Sequence, residues 1–303
     1  MRLILRVYRR LIYYAEIILR KTNRGTFLPN YFYDVFHTMA EKDIRRSIKG
    51  ISFTNDHSKL NEEFKPVIWV MWWQSESIPK LVKNNIKRLK QYSNYPVIIL
   101  NEKNISKYLR IPPVILKNVK NKKVGLALFS DYIRTALLFK YGGLWIDSTI
   151  YAAGEIPDVL EKADLFTIKG INPSVHKFVP KGRWSSYVLG SKPGKEYFGF
   201  IRDVLSFYIE NNIKITDYFM IDYLLDISYK DNIGNFRNDA LKVQNNNVHA
   251  EELIKIINQP FDEGKFNELK KQTYLFKLSN KKKYVDEKNN KKTFYDILIN
   301  KRD

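Results

Sequence analysis

The chain predicts an α/β fold, a mostly parallel sheet with helices on both faces, and three observations carry that prediction. Short apolar, branched runs alternate with longer segments of helical period from Pro66 to about Leu278. Ser130 to Thr149 condenses the pattern into helix, paired glycines, strand and carboxylate. No internal repeat or proline-rich linker interrupts the alternation.

Taken in order, Val67 to Trp73 has the composition of a strand, and Pro79 suits the first turn of a helix running to about Tyr92. Val97 to Leu100 is a second strand, ended by Asn101, and Pro112-Pro113 opens a short helix. In the next helix Leu126, Phe129, Ile133, Ala136 and Leu137 keep helical spacing, so Asp131 and Arg134, three apart, project from about one place. Gly142 and Gly143 stop that helix, since glycine tolerates the left-handed conformation of a helix end. Leu144 to Ile146 is a buried strand with Asp147 just past it, where ligands bind in open α/β sheets. A strand at Leu165 to Ile168, helices over Lys195 to Asn211 and Asp217 to Tyr229, and a late strand at Tyr274 to Leu278 complete the domain.

The ends read differently. Within residues 1–24, Leu3, Ile4, Val7, Tyr8, Leu11, Ile12, Ala15, Ile18 and Leu19 follow one helix face, while Arg2, Arg6, Arg9, Arg10 and Arg20 fall mostly on the other. Such a helix suits an anionic membrane surface, where each basic residue adds roughly 1 kcal/mol, or else packs on the domain with its arginines in water. Residues 25–65 read as a helical connection, 66–279 as the main domain, and 280–303 as a lysine-rich tail around Phe294, Tyr295, Ile297, Leu298 and Ile299.

A formal charge of +20 on 303 residues calls for an anionic partner. Without cysteine there is no disulfide framework, thiolate metal site or cysteine nucleophile, and the composition fits a reducing compartment. No run approaches the roughly 18–20 apolar residues of a membrane span, and Arg6, Arg9 and Arg10 break the early hydrophobic stretch, unlike a cleavable leader. The expectation is a peripheral protein of the cytoplasmic membrane face.

In a parallel sheet three strand ends share an edge: Trp72, Trp73 and Gln74; Asn101; and Asp147, Ser148 and Thr149. An aromatic face beside carboxylates suits a nucleotide sugar, whose base stacks while hydroxyls and diphosphate take directed hydrogen bonds. Each element has a plainer reading too: tryptophans as core, Asp147 as a turn or cap, Asp131 with Arg134 as a local ion pair. Asp217 after Thr216 reads most simply as a helix cap, whereas Asp222 sits among apolar neighbours and is the better site residue. His176 and His249 stand isolated in loop-like surroundings. A basic nucleic-acid-binding protein is the alternative that charge and aromatics permit; with the basic residues at the two ends and no recognised module, no nucleic acid is expected.

Three stretches together, Pro66 to Gln74, Ser130-Asp131-x-x-Arg134 and Tyr141 to Thr149, resemble the capsular polysaccharide synthesis protein family, related to sugar transferases with an Asp-x-Asp motif. The likeness extends to Asp217 through Tyr223 and to Thr273 through Lys281. It implies a GT-A fold of Rossmann-like character, and a glycosyltransferase moving a hexose, galactose or glucose, from a UDP-sugar to a hydroxyl of a lipid-linked oligosaccharide. By position, Trp72 or Trp73 would stack on the base, with Gln74, Asn101 and Ser148 at the donor. Asp131 and Arg134 would hold donor hydroxyls and phosphate, with Asp222 near the donor or acceptor hydroxyl. Relatives close the motif with a second aspartate that binds Mn²⁺ or Mg²⁺, whereas this chain has Thr149. A hydroxyl is a weaker ligand for a hard cation, so the expected metal rests on Asp147, diphosphate and water, with Lys277 and Lys281 as an alternative source of positive charge. The relatives imply transfer with retention.

Overall fold

A computed structural model of the chain describes residues 2–21, 27–51, 53, 64–74, 76–160, 163–169 and 175–300. In chain order it contains α1 (Arg2–Lys21), α2 (Phe27–Ser47), β1 (Ile68–Met71), α3 (Lys80–Gln91), β2 (Val97–Leu100), α4 (Pro113–Lys120), α5 (Leu126–Tyr141), β3 (Gly143–Ile146), β4 (Ile150–Ala152), β5 (Leu165–Thr167) and β6 (Val188–Ser191). Then come α6 (Glu196–Glu210), α7 (Met220–Asp231), α8 (Phe236–Lys242), α9 (Leu253–Ile256), α10 (Glu263–Lys270), β7 (Leu275–Lys277), β8 (Glu287–Lys288), β9 (Lys291–Lys292) and α11 (Phe294–Leu298). Of the connection read over 25–65, α2 forms most of the described part; residues 25, 26, 52 and 54–63 lie outside the described residues, as do Lys301, Arg302 and Asp303 of the tail.

The central sheet has the order β2-β1-β3-β6-β5. β1 pairs in parallel with β2 and β3, while β6 runs antiparallel to both β3 and β5, so four of the five strands share one direction. Side-chain period two sorts the strands onto two cores. Trp69, Met71, Trp145 and Leu189 face the layer of α5, α6 and α7, whereas Ile68, Val70, Leu144, Ile146 and Val188 face α3. Both faces are covered, and this explains why the strands read as continuous apolar runs.

β6 escapes the sequence reading because its four residues include Gly190, which has no alternating pattern to offer. Packing is tight at that glycine: a Cβ there would lie 2.7 Å from Leu160 Cδ2 and 2.9 Å from Leu144 Cδ1, so both leucines would have to shift. β4 is missed for a related reason, since its three residues follow β3 after one tight turn and pair only with β7, far along the chain. Residues 280–300 are folded rather than trailing. β8 and β9 form a hairpin, and Phe294 and Ile299 are buried with Phe266, Phe276 and Tyr151 in a third core. The lysines of this segment project outward, which is why composition alone reads it as a tail.

Gly142 caps α5 at φ 65°, and Gly143 follows at φ 94°. The indole N–H of Trp69 donates to the Gly142 carbonyl at 2.9 Å, and a Cβ on Gly143 would sit 2.6 Å from the Val67 carbonyl oxygen and 2.9 Å from Trp69 Nε1. The turn that aims β3 alongside β1 therefore needs both the left-handed backbone and the absence of a side chain. Gly143→Ala is expected to lower unfolding stability by about 2–3 kcal/mol, checked by urea denaturation.

Candidate active site

β1 and β3 end side by side, and beyond their C-terminal ends lies a cavity of about 640 Å³. Trp72, Asp131, Arg134, Asp147, Ser148, Thr149, Asp222, Lys277 and Lys281 all line it, brought from five separate parts of the chain. Trp73, Gln74 and Asn101 do not. Trp73 turns the other way, edge-on to Phe129 at 4.8 Å, and Asn101 shapes its own turn by accepting from the Lys103 N–H at 2.9 Å. Of the two tryptophans the strand parity thus brings Trp72 to the cavity. Its N–H is donated to the Ser77 carbonyl at 3.1 Å, so the ring itself is what it offers.

Asp147 is the hub. Its Oδ1 accepts from Arg134 at 3.0 Å and from the Trp145 indole at 2.9 Å, and its Oδ2 accepts from Lys277 Nζ at 2.8 Å. The same ammonium donates to Thr149 Oγ1 at 2.9 Å. Lys277 arrives through the antiparallel register of β4 with β7, which sets Ile150 opposite Lys277, and the Leu278 N–H fixes the turn by donating to the Thr149 carbonyl. Arg134 is held by the Ser186 carbonyl, stacks 4.9 Å from the Trp145 ring, and also faces Asp131 at 3.4 Å. The i, i+3 pair seen in the sequence is real, and it is one part of a larger network.

Electrostatics divide the carboxyls. Burial would raise Asp147, but the charges of Lys277 and Arg134, with hydrogen bonds from Lys277 and Trp145, hold it below the ordinary range. Asp131 goes the other way: burial, with Asp147 and Asp222 adding repulsion against the opposing pull of Arg134, lifts it to about 7. Burial lifts Asp222 to about 6 despite donors at Trp184 Nε1, 3.2 Å, and Ser186 Oγ, 3.3 Å. Four cations, Arg134, Lys255, Lys277 and Lys281, line the cavity against Asp131, Asp147, Asp222 and Glu251. With Asp131, Asp222 and Glu251 all shifted upward, the cavity is biased positive near neutral pH and suits an anion.

The residues present do not make a divalent site as they stand. Asp147 spends both oxygens on cations and an indole, and the Thr149 hydroxyl is engaged by the ammonium a metal would have to displace. Among the described residues no group of three or more His, Asp and Glu side chains could hold a metal ion. His176 instead ties a loop to α2, its Nδ1 2.8 Å from Asp34 Oδ2. Asp217 is not the helix cap its sequence context suggests: α7 starts later, with Phe219 at the N-cap and no side chain capping it, while Asp217 accepts from the Phe219 N–H at 2.9 Å in the turn before the helix and pairs with Arg9.

Tyr187, Tyr218 and Glu251 also line the cavity and carry no signal in the sequence. Tyr187 and Glu251 lie in stretches with no periodicity to mark them, and Tyr218, although inside the Asp217 to Tyr223 stretch, has only its neighbouring aspartates singled out there.

Both raised carboxyls tie stability to pH. Their favourable contribution is complete below the ordinary value of 3.8 and is lost as pH climbs through about 6 for Asp222 and about 7 for Asp131. Asp131→Asn removes the upper part of that loss, so the variant is expected to gain stability relative to the parent between about pH 5 and about pH 8. Urea titrations across that range read the difference.

The family model for "Capsular polysaccharide synthesis protein" matches residues 18–298. No curated protein matches the chain. Among solved structures the chain is similar to one titled "PaToxG Glycosyltransferase", at 12% identity and a TM-score of 0.39, over 80% of this chain and 99% of that one. With its family model spanning nearly all of the sequence, the chain belongs to the capsular polysaccharide synthesis protein family.

Proposed function

We propose that this protein is a glycosyltransferase of GT-A type that moves a hexose, galactose or glucose, from a UDP-sugar to a hydroxyl of a lipid-linked oligosaccharide during surface polysaccharide synthesis, at the cytoplasmic membrane face. Family membership supports the pathway. The observation that carries the chemistry is the Arg134–Asp147–Lys277 chain, set in a positively biased cavity beside the Trp72 ring at the C-terminal edge of the parallel strands.

The base stacks on Trp72, and the diphosphate lies toward Lys277 and Lys281. Asp131 and Asp222 face the sugar. Their pKa values near neutrality let each donate or accept a hydrogen bond to a hydroxyl. The acceptor oxygen attacks the anomeric carbon as the bond to the diphosphate oxygen breaks, and that oxygen takes the acceptor's proton. Attack and departure on one face retain the anomeric configuration. Charge developing on the diphosphate is met by fixed ammonium groups in a partly dry site, where they act more strongly than in water. In this reading Lys277 supplies the charge that Mn²⁺ or Mg²⁺ would bring to an Asp-x-Asp motif.

A thermal-shift screen of nucleotide sugars tests the donor class. One UDP-sugar is expected to stabilise the protein, the shift disappearing in Asp147→Asn. Absence of a shift with every nucleotide sugar would sink the donor assignment. Turnover is expected to persist in EDTA and to fall about 10²–10³-fold in Lys277→Met. Loss on chelation with recovery in Mn²⁺ would instead return a divalent ion to Asp147.

A further inference from the structure

α1 does not present a single apolar face. Leu5, Ile12 and Glu16 turn inward against α2 and are buried, whereas Leu3, Ile4, Val7, Leu11 and Tyr14 stand out, Leu3 at 75% and Leu11 at 60% exposure. These outward residues follow i, i+4, i+7 spacing and make one continuous stripe. Arg10 and Tyr13 fall by helical period between the stripe and the buried side.

On that flank, between α1 and the segment leading into α7, lies a second cavity of about 500 Å³. Its wall includes Arg9, Arg10, Lys177 and Asp217, three cations against one carboxylate, together with Tyr13, Tyr14 and Tyr33. Arg9 is committed to an ion pair with Asp217 and stacks 4.9 Å from the Phe219 ring. Lys177 sits 4.7 Å from the Tyr13 ring and 3.4 Å from buried Glu16, which also accepts from the Tyr33 hydroxyl at 2.8 Å. The Arg10 guanidinium has no ion-pair or hydrogen-bond partner among the described residues and is exposed at the cavity mouth. Tyr218 lines both this cavity and the candidate active site, so the two are neighbours across one side chain.

We infer that this cavity is the acceptor subsite, holding the phosphate of a polyprenyl diphosphate–linked saccharide. The inference rests on the transferase reading above and names the acceptor end of that same site. The order of chemistry is the order of the ligand: apolar stripe for a lipid tail, Arg10 and Lys177 for the phosphate, tyrosine rings for the first sugar, then Tyr218 and the donor. Aromatic rings with few directed polar groups are what a sugar face needs, and the volume lies within the range of small-ligand sites. A bare phospholipid headgroup supplies the same phosphate without the sugar. Nothing in it would use a cavity that adjoins the active site across Tyr218.

Flotation with phosphatidylcholine vesicles carrying either a polyprenyl diphosphate or phosphatidylglycerol at matched surface charge separates these sources. The assay contains no nucleotide sugar, so it reads the acceptor subsite whatever the donor screen shows. The parent protein is expected to prefer the polyprenyl diphosphate vesicles about tenfold. Arg10→Ala should abolish most of that preference, while Leu11→Ser weakens binding to both vesicle types alike. Melting temperatures equal to the parent's certify both variants as folded; Arg10→Ala/Lys177→Ala extends the test if Arg10 alone is silent. Equal binding to both vesicles, binding to neither, or a preference that survives in the double variant overturns the assignment.

Discussion

The rest of the candidate site depends on a single partly buried carboxylate, Asp147, kept ionised by cations from two directions. A charge taken out of water without partners costs several kcal/mol, so Asp147 is tolerable in its place only because Arg134 and Lys277 come to it. Arg134 belongs to the helix just before the strand that Asp147 follows, and the connection is short. Lys277 lies 130 residues away and comes through the pairing of β4 with β7. One anchor is thus local and the other is tertiary. Their agreement on one carboxylate divides the cavity into an ion-paired floor and two carboxyls, Asp131 and Asp222, whose protonation is adjustable near neutral pH.

Backbone geometry supports this charge chain. The paired glycines let β3 leave α5 and run beside β1 at close approach, with Trp69 locked to the turn by its indole hydrogen bond. Because β1 and β3 are parallel and adjacent, the residues after them emerge at the same edge. Trp72 and Asp147 are brought together by that register, and the turn from Asp147 to Ile150 immediately starts the strand that receives Lys277. A fold-level rule about strand ends becomes here a specific set of contacts.

The N-terminal helix shows how burial divides a pattern. Its apolar residues are too many for one face, and packing against α2 takes Leu5 and Ile12 while leaving the Leu3 to Tyr14 stripe outside. The Arg9–Asp217 pair then binds the helix to the segment entering α7, whose Tyr218 and Asp222 line the candidate active site. No helix among the described residues is long and apolar enough to cross a membrane.

Local chemistry made much of this legible in the sequence. Pro79, the Gly142-Gly143 pair and the spacing of Leu126 to Leu137 encode helix starts, stops and faces within a few residues of themselves, and α3, α5, β2 and β3 form where those signals stand. The pairing of Asp131 with Arg134 is equally local. Tertiary structure decided the rest: which of two tryptophans meets the cavity, that Lys277 reaches Asp147 and Thr149, that β6 completes the sheet against the general strand direction, and that residues 280–300 pack into a core. Those outcomes follow from sheet register and burial between segments far apart in the chain. Such pairings are selected by the whole core at once, so no single stretch of sequence carries their signal.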